Sequence, residues 1–198
     1  MAEQPRKAPL QTPNEIEVKI RIPDLAACLE RLTKSGLVIH QPRKFEANTL
    51  YDTPGGQLRK QEMLLRLREF GESYLITWKG PSVPGPHKNR PELQTSLGSA
   101  EILGVILTKL GFLPSFRYEK YRMEMGSQGE PGVLTVDETP IGNFLELEGP
   151  AEWIDAKAAA LGFTPSDYIL ESYGRLYLAD CERRGVEPSN MVFPPDSP

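Results

Sequence analysis

Charged and apolar residues alternate along residues 14–22, the first segment of the chain with a regular pattern. In an extended strand, successive side chains point to opposite faces of the sheet. The apolar positions hold isoleucine and valine, whose branched side chains favour a strand over a helix. Taken alone, this pattern is also that of an ordinary strand with one face in solvent. The charged face consists of Glu15, Glu17, Lys19 and Arg21.

The same alternation recurs in later segments, which turn-forming residues such as Pro54-Gly55-Gly56 separate from one another. Residues 37–52 are predicted to form one or two extended pieces. Further strands are predicted at residues 63–69, 74–79, 116–125, 133–137 and 144–148, with another polar row from Arg90 onward. Each of them places polar or charged side chains on one face. These rows are Arg66 and Arg68; Thr77 and Lys79; Arg90, Glu92 and Gln94; Tyr118, Lys120, Arg122 and Glu124; Thr135 and Asp137; and Glu146 and Glu148.

Helices are predicted between some of these strands and at the end of the chain, because apolar residues there follow a helical spacing. Asp24 and Ser99 are suitable N-caps for the first two helices. The apolar faces of the helices need an apolar surface to pack on, and the apolar face of the strands is available for this. The charged faces of the strands would then line an interior. The predicted helices span about residues 25–35, 99–110, 150–160 and 167–184.

Hairpin-linked strands in this number suit an antiparallel barrel, which leaves no free sheet edge. We therefore predict an α+β fold, an antiparallel β-barrel with a charged lumen and helices on the outside. The alternative is an ordinary sheet with mixed-charge, solvated faces.

A single domain is expected at residues 14–184, between a flexible leader at 1–13 and a disordered, proline-rich tail at 185–198. The proline- and glycine-rich loop 80–89 is predicted to be mobile, with His87 in solvent.

Composition and charge narrow the classes of function open to this chain of 198 residues. Its 39% hydrophobic and 25% charged residues are typical of a soluble globular protein, and no apolar run approaches the length of a membrane span. No secretory signal is predicted, so Cys28 and Cys181 are expected to be free thiols in a reducing cytoplasm. The formal charge of -4 argues against a general nucleic-acid binder.

A lumen that contains both bases and acids is costly to bury unless its charges are paired, solvated or bound to ions. Arginine and lysine side chains match the oxygen atoms of a polyanion such as a polyphosphate. The carboxylates would repel that anion unless divalent cations lay between them. Mg²⁺ binds a few carboxylates and keeps its other positions for phosphate and water. The pattern therefore predicts a metal–polyphosphate site.

The chain resembles the CYTH superfamily, also called triphosphate tunnel enzymes, over about residues 14–178. Single motifs are weak, and the resemblance depends on the whole series occurring in order. Gln94 departs from the family pattern, which often has an acid at that position. The motifs are Glu15-x-Glu17-x-Lys19; Tyr51-Asp52-Thr53; Leu65-Arg66-Leu67-Arg68; Thr77-Trp78-Lys79; Arg90-Pro91-Glu92; Lys120-x-Arg122; Asp137 followed by Ile141 to Glu148; and Ser172-Tyr173 to Tyr177.

The resemblance implies an eight-stranded antiparallel barrel whose tunnel binds a triphosphate together with Mg²⁺ or Mn²⁺. We further hypothesise that Lys120 is a catalytic residue, which would polarise the attacking water or hydroxyl. By similarity, the metal ligands would be Glu15, Glu17, Glu146 and Glu148, with Asp137 and Glu92 assisting. The phosphate-binding residues would be Lys19, Arg66, Arg68, Lys79, Arg90, Lys120 and Arg122.

Three functions remain open at this point. The first is a triphosphatase that hydrolyses inorganic triphosphate or an organic triphosphate, such as a nucleotide or thiamine triphosphate. The second is a class IV adenylyl cyclase, which converts ATP to cyclic AMP and pyrophosphate. The third is a non-catalytic polyphosphate-binding module, although a pure anion binder gains nothing from four acids. The expected partner is a small-molecule triphosphate rather than a nucleic acid or a membrane, and a homodimer is left open.

Overall fold

Eight antiparallel strands close into a barrel in the computed structural model, which describes residues 12–195. The strands are β1 (Asn14–Ile22), β2 (Val38–Asp52), β3 (Leu64–Phe70), β4 (Ser73–Lys79), β5 (Lys88–Leu97), β6 (Leu113–Gly126), β7 (Val133–Thr139) and β8 (Gly142–Glu148). Around the barrel they follow the order β1, β5, β4, β3, β2, β6, β7, β8, and β8 pairs with β1. The predicted α+β barrel is confirmed.

Helices lie outside the barrel and cover parts of its apolar outer surface. They are α1 (Leu25–Lys34), α2 (Gln57–Lys60), α3 (Ala100–Lys109), α4 (Ala151–Ala160) and α5 (Tyr173–Arg184). The predicted caps are present: the Asp24 side chain accepts a hydrogen bond from the Ala27 backbone N–H, and Ser99 accepts one from that of Ile102. Among residues 12–195, no helix is both long and apolar enough to cross a membrane.

The largest apolar core lies between the outer face of β1, β7 and β8 and the helices α1 and α4. Val18 and Ile20 on β1 are buried there, because their position in the alternation turns them away from the lumen. Full burial of an aliphatic side chain contributes about 1.5–3 kcal/mol, so this core holds the strands that carry the charged rows. Cys28 is part of it, and both Cys28 and Cys181 are buried and free, as predicted.

The C-terminal segment packs on the barrel, so the prediction of a disordered tail from residue 185 is wrong for the described residues. Met191 is completely buried, and its backbone pairs with β6 through hydrogen bonds to Arg117 and Glu119 of 3.0 and 2.9 Å. It joins an aromatic cluster between α5 and the barrel that includes Tyr118 of β6 and Tyr177 of α5. Most of the predicted leader, residues 1–11, lies outside the described residues.

Two other segments differ from the predicted elements. The last helix begins at Tyr173 instead of residue 167, because the preceding backbone is extended and Ile169 pairs with Lys19 of β1 at 2.8 and 3.1 Å. The region predicted as one or two extended pieces is one strand, β2. Its register with β6 shifts near Gln41 and near Leu50, so the polar–apolar alternation in its sequence is broken.

Replacing Met191 by alanine is expected to lower the free energy of unfolding by about 2–5 kcal/mol, because the fully buried side chain leaves a cavity. Unfolding in urea measures this change. The neighbouring Val192 is 38% exposed, and Val192→Ala is the matched control, expected to change stability by about 0.5 kcal/mol or less. Equally small effects of both substitutions would show that the C-terminal segment does not pack on the barrel.

Candidate functional site in the barrel lumen

The charged rows of the strands face the inside of the barrel, as the alternation predicts, except that Arg21 near the end of β1 is exposed. They surround a cavity of about 90 Å³, which the predicted phosphate-binding residues and the four principal predicted metal ligands line. Glu92 and Asp137 do not line this cavity. Glu92 lies beside it and pairs with Lys79 at 3.0 Å, whereas Asp137 is completely buried behind Lys120 and Arg122.

Acidic side chains are concentrated on one side of the lumen, which we call the acidic wall: Glu15 and Glu17 of β1, Glu92 of β5, and Glu146 and Glu148 of β8. These strands are neighbours in the barrel, and their register brings the residues together, with Glu17 opposite Glu148 and Lys19 opposite Glu146. Sequence spacing alone cannot bring β1 and β8 together, because more than a hundred residues separate them.

Lysine ammonium groups lie between the carboxylates of the acidic wall. Lys19 bridges Glu17 and Glu146, at 3.0 Å from each carboxylate, and Lys79 bridges Glu15 and Glu92. Burial alone would raise the pKa of Glu17, but the nearby lysines outweigh it and hold this pKa well below the usual value. Glu17 is therefore ionised, and the lysines of the wall neutralise its charge.

Lys88 belongs to this wall although the sequence reasoning missed it. It is the first residue of β5, it lines the cavity, and its ammonium group pairs with Glu17. Burial and the neighbouring Lys19 and Arg90 lower its pKa to about 8, against the opposing effect of Glu17. The alternation of β5, with Arg90 and Glu92 at the next inward positions, was the available signal.

Basic side chains form the opposite side of the lumen, which we call the basic wall: Arg66 and Arg68 of β3 and Lys120 and Arg122 of β6. The strand β2 lies between β3 and β6 and contributes a buried acid to this wall, Glu46. The Glu46 carboxylate lies 3.5 Å from Lys120, 3.6 Å from Arg68 and 3.9 Å from Arg122.

Glu46 holds three of the four cations of the basic wall, because it is the carboxylate that Arg68, Lys120 and Arg122 share. Its side chain is completely inaccessible to solvent. Burial alone would raise the pKa of Glu46, but Lys120 and Arg68 outweigh that effect and lower it far below the usual value. Asn48, two residues on, donates a hydrogen bond to Glu46 at 2.8 Å. No role was predicted for this pair, because the next inward residue of β2, Leu50, is apolar and the polar row is therefore short.

Asp137 orients the two bases of β6. Its carboxylate accepts hydrogen bonds from Arg122 at 2.7 and 2.6 Å, from Lys120 at 2.8 Å and from the Tyr173 hydroxyl at 2.7 Å. These donors already occupy both oxygen atoms, and the carboxylate does not reach the cavity. The arrangement does not support the predicted assisting role in metal binding, and it fits the positioning of Lys120 and Arg122 instead.

The start of α5 closes one end of the lumen. Ser172, Tyr173 and Gly174 line the cavity together with Leu50 and Phe116. The Tyr173 ring lies 5.2 Å from the Lys19 ammonium and 5.1 Å from that of Lys120, within the range of cation–π attraction. The helix thereby contacts lysines of both walls.

His87 is buried, so the prediction that it is a solvated loop histidine is wrong. It is 8% exposed, and its Nε2 lies 2.8 Å from Asp155 of α4, which also accepts a hydrogen bond from the Tyr168 hydroxyl at 2.9 Å. These contacts attach the end of the loop 80–89 to α4, directly before Lys88. The sequence could not indicate them, because His87 and Asp155 are far apart along the chain.

The acidic wall has the donor chemistry of a divalent cation site. Carboxylate oxygens are the ligands that Mg²⁺ and Mn²⁺ prefer. Partial burial and the nearby Glu15 and Glu17 carboxylates raise the pKa of Glu148 to about 7, and a cation bound among them would relieve this repulsion. Among residues 12–195, no three potential ligands are already grouped closely enough to hold a metal ion. The carboxylates of the acidic wall are held apart because Lys19 and Lys79 lie between them.

Comparison with known protein families identifies the class to which this chain belongs. The profile of the CYTH domain matches residues 13–161, most of the chain, and the protein is a member of the CYTH family. Membership agrees with the resemblance found in the sequence and with the closed eight-stranded barrel of the described residues.

Individual relatives support this assignment. The Methanocaldococcus jannaschii protein named "Putative adenylate cyclase MJ0240" is 28% identical over 147 residues, which cover 74% of this chain and 83% of that protein. A Vibrio parahaemolyticus structure described as "a putative adenylate cyclase" has the same fold, with a TM-score of 0.74, 21% identity and coverage of 84% and 98% of the two chains. A Hippeastrum structure matches with a TM-score of 0.58, 18% identity and coverage of 88% and 97%.

Glu46→Gln is expected to lower the free energy of unfolding by about 3–5 kcal/mol, because it removes the buried carboxylate that Lys120, Arg68 and Arg122 share. The matched control is Glu138→Gln. Glu138 pairs with Arg43 on the outer surface, where loss of one ion pair costs about 0–1 kcal/mol. Urea unfolding compares the two, and equal losses would contradict the role given to Glu46.

Glu148 is expected to make stability depend on pH in metal-free buffer. Its pKa in the folded protein, about 7, exceeds its ordinary value of 4.5, so the folded state binds an extra proton between these values. Stability is therefore lost as the pH rises through this window. Glu148→Gln cannot titrate, so its melting temperature should exceed that of the wild type more at pH 8 than at pH 5. A pH-independent difference would contradict the raised pKa.

Proposed function

We propose that this protein is a metal-dependent triphosphatase that hydrolyses inorganic triphosphate or a small organic triphosphate. The observation that carries the proposal is the placement of an acidic wall opposite a basic wall across one narrow lumen. A bound cation and a polyphosphate would each find complementary charge there. Neither ligand alone would satisfy both walls.

The basic wall would bind the triphosphate. Arg66, Arg68 and Arg122 offer paired N–H groups to phosphate oxygens, and Lys120 offers a compact positive charge. Glu46 and Asp137 hold Arg68, Lys120 and Arg122 from behind and fix their directions before substrate arrives. Such preorganised charge stabilises the negative charge that develops on the transferred phosphoryl group.

The acidic wall would bind Mg²⁺ or Mn²⁺ through Glu15, Glu17, Glu146 and Glu148. When bound, a divalent cation neutralises phosphate charge and lowers the pKa of a coordinated water. Lys120 is well placed to orient the attacking water, because two contacts fix its ammonium group. This group donates a hydrogen bond to Asp137 at 2.8 Å and lies over the Tyr173 ring. Geometry of this kind accelerates the reaction mainly by positioning.

Binding would exchange charge partners inside the lumen. The cavity of about 90 Å³ has room for roughly three water molecules, because side chains of opposite charge reach across it. Lys79 and Lys88 would leave carboxylates of the acidic wall for phosphate oxygens, and the cation would take their place. The free carboxylates would otherwise be buried without counter-charge, which makes metal and triphosphate binding mutually dependent.

An adenylyl cyclase is the second candidate, because the M. jannaschii relative carries that name. The Hippeastrum protein is described as a "putative adenylyl cyclase" that shows a dominant triphosphatase activity, which supports placing hydrolysis first. Both reactions would use the same phosphate-binding residues of the basic wall. In a cyclase, the ribose 3′-hydroxyl attacks the α-phosphorus and pyrophosphate leaves.

The buried free thiols Cys28 and Cys181 support a cytoplasmic location for either enzyme.

A product assay separates the candidates. The purified protein is offered inorganic triphosphate, ATP and thiamine triphosphate in parallel, each with Mg²⁺, with Mn²⁺ and with EDTA. Metal-dependent release of phosphate is the expected result, and the fastest substrate names the preferred one. Cyclic AMP and pyrophosphate from ATP would establish a cyclase instead. Triphosphate binding without turnover of any substrate would establish a non-catalytic binding module.

Glu146→Gln is expected to lower metal-dependent turnover by about 10²–10³-fold, because it removes a carboxylate from the acidic wall at nearly unchanged side-chain volume. Glu138→Gln, an acid-to-amide change on the outer surface, should retain wild-type activity. Circular dichroism and thermal unfolding of both variants verify folding. Full activity of a folded Glu146→Gln variant would contradict the assignment of the acidic wall to metal binding.

A further inference from the structure

The helix α3 exposes apolar side chains that the barrel does not cover. Leu103 and Leu107 pack on the outer surface of the barrel, but Ile102 is 64% exposed, Ile106 47% and Leu110 69%. These three residues are four apart and form one row along the helix. Soluble proteins seldom expose contiguous apolar surface of this kind without a partner.

The adjacent row of α3 carries opposite charges at its two ends. Glu101 lies in the first turn, Val105 in the middle and Lys109 in the last turn, again four residues apart. Val105 is 56% exposed. If a second α3 lies antiparallel across a two-fold axis near Val105, Glu101 of each helix lies opposite Lys109 of the other. A parallel arrangement would place like charges together.

We infer that α3 is the face through which two copies of this chain form an antiparallel, two-fold symmetric dimer. The apolar row Ile102, Ile106 and Leu110 supplies the buried contact. The Glu101–Lys109 pairs, one at each end of the paired helices, select the antiparallel direction. Such a surface is complementary to itself, which is the requirement of a two-fold interface. A second copy carries the same charges in the same order by necessity, whereas a different partner would need a matching pair of its own.

The groove beside α3 enlarges this interface. It has a volume of about 600 Å³ and separates one side of the helix from the outer face of the barrel, where Tyr51, Leu67 and Tyr74 form its floor. Glu101, Val105 and Lys109 form its other edge, so side chains of the second copy that meet this row can enter the groove. The face is outside the barrel, so dimerisation does not depend on the chemistry of the lumen.

The expected dimer is a weak one. A ten-residue helix is about 15 Å long, whereas stable interfaces bury about 800 Å² on each partner. We therefore expect a dissociation constant in roughly the micromolar range. Sedimentation equilibrium of the full chain, over a concentration series spanning roughly three orders of magnitude, should show the mass rising from 22.1 kDa toward twice that value. A constant monomer mass up to the highest concentration would overturn the inference.

Single substitutions locate the interface. Ile106→Glu places a charge in the middle of the apolar row, so the variant should remain monomeric at every concentration. Leu178→Glu is the matched control, because Leu178 is a 51% exposed apolar residue on another helix, α5. This variant should associate like the wild type. Unchanged association of Ile106→Glu would place any dimer contact elsewhere and overturn the inference.

Charge reversal tests the antiparallel direction. Glu101→Lys and Lys109→Glu each create two like-charge pairs, and each should raise the dissociation constant roughly tenfold. When the two variants are mixed, every Glu–Lys pair is restored in the mixed dimer, so the mixture should associate more tightly than either variant alone. A mixture no tighter than its components would overturn the antiparallel pairing. Circular dichroism verifies that each variant retains its helices.

Discussion

Pairing of opposite charges inside the barrel is the interaction that holds this structure together. A charged side chain buried without a partner costs several kcal/mol, so the stability of the lumen depends on the bases that pair with its buried acids. Lys19 joins Glu17 to Glu146, and Glu46 is shared by three cations of the basic wall. These contacts span β1, β2, β3, β6 and β8, so the closed barrel and its charge pairs stabilise each other.

The same pairs that stabilise the lumen make it suitable for a charged ligand. An anion with a bound divalent cation carries both signs of charge, and it can replace internal pairs without leaving a charge uncompensated. Residues that the lumen needs in every state are separate from those that can change partner. Glu46 and Asp137 lie behind the bases and do not line the cavity, whereas Lys79 and Lys88 line it. The barrel therefore combines a rigid basic wall with exchangeable lysines.

The outer surface of the barrel shows how that arrangement is maintained. The apolar positions of β1, β7 and β8 are covered by α1 and α4, and the start of α5 closes one end of the lumen. Met191 fixes the C-terminal segment beneath α5 by pairing with β6. In contrast, α3 covers the barrel with only part of its apolar surface, which leaves the remainder available to another molecule.

Local patterns in the sequence were enough to predict which residues face inward, because a strand alternates its side chains and apolar helices need an apolar surface. That reasoning predicted the barrel, its charged lumen and most of the cavity-lining residues. It did not identify Glu46, because the apolar Leu50 at the next inward position of β2 shortens the polar row. It also missed the buried His87, whose partner Asp155 is distant in the chain. Only the folded chain determined these two points. The same is true of the position of Asp137 behind the bases and of the packing of Met191. They depend on contacts between residues far apart in sequence, which no local pattern records.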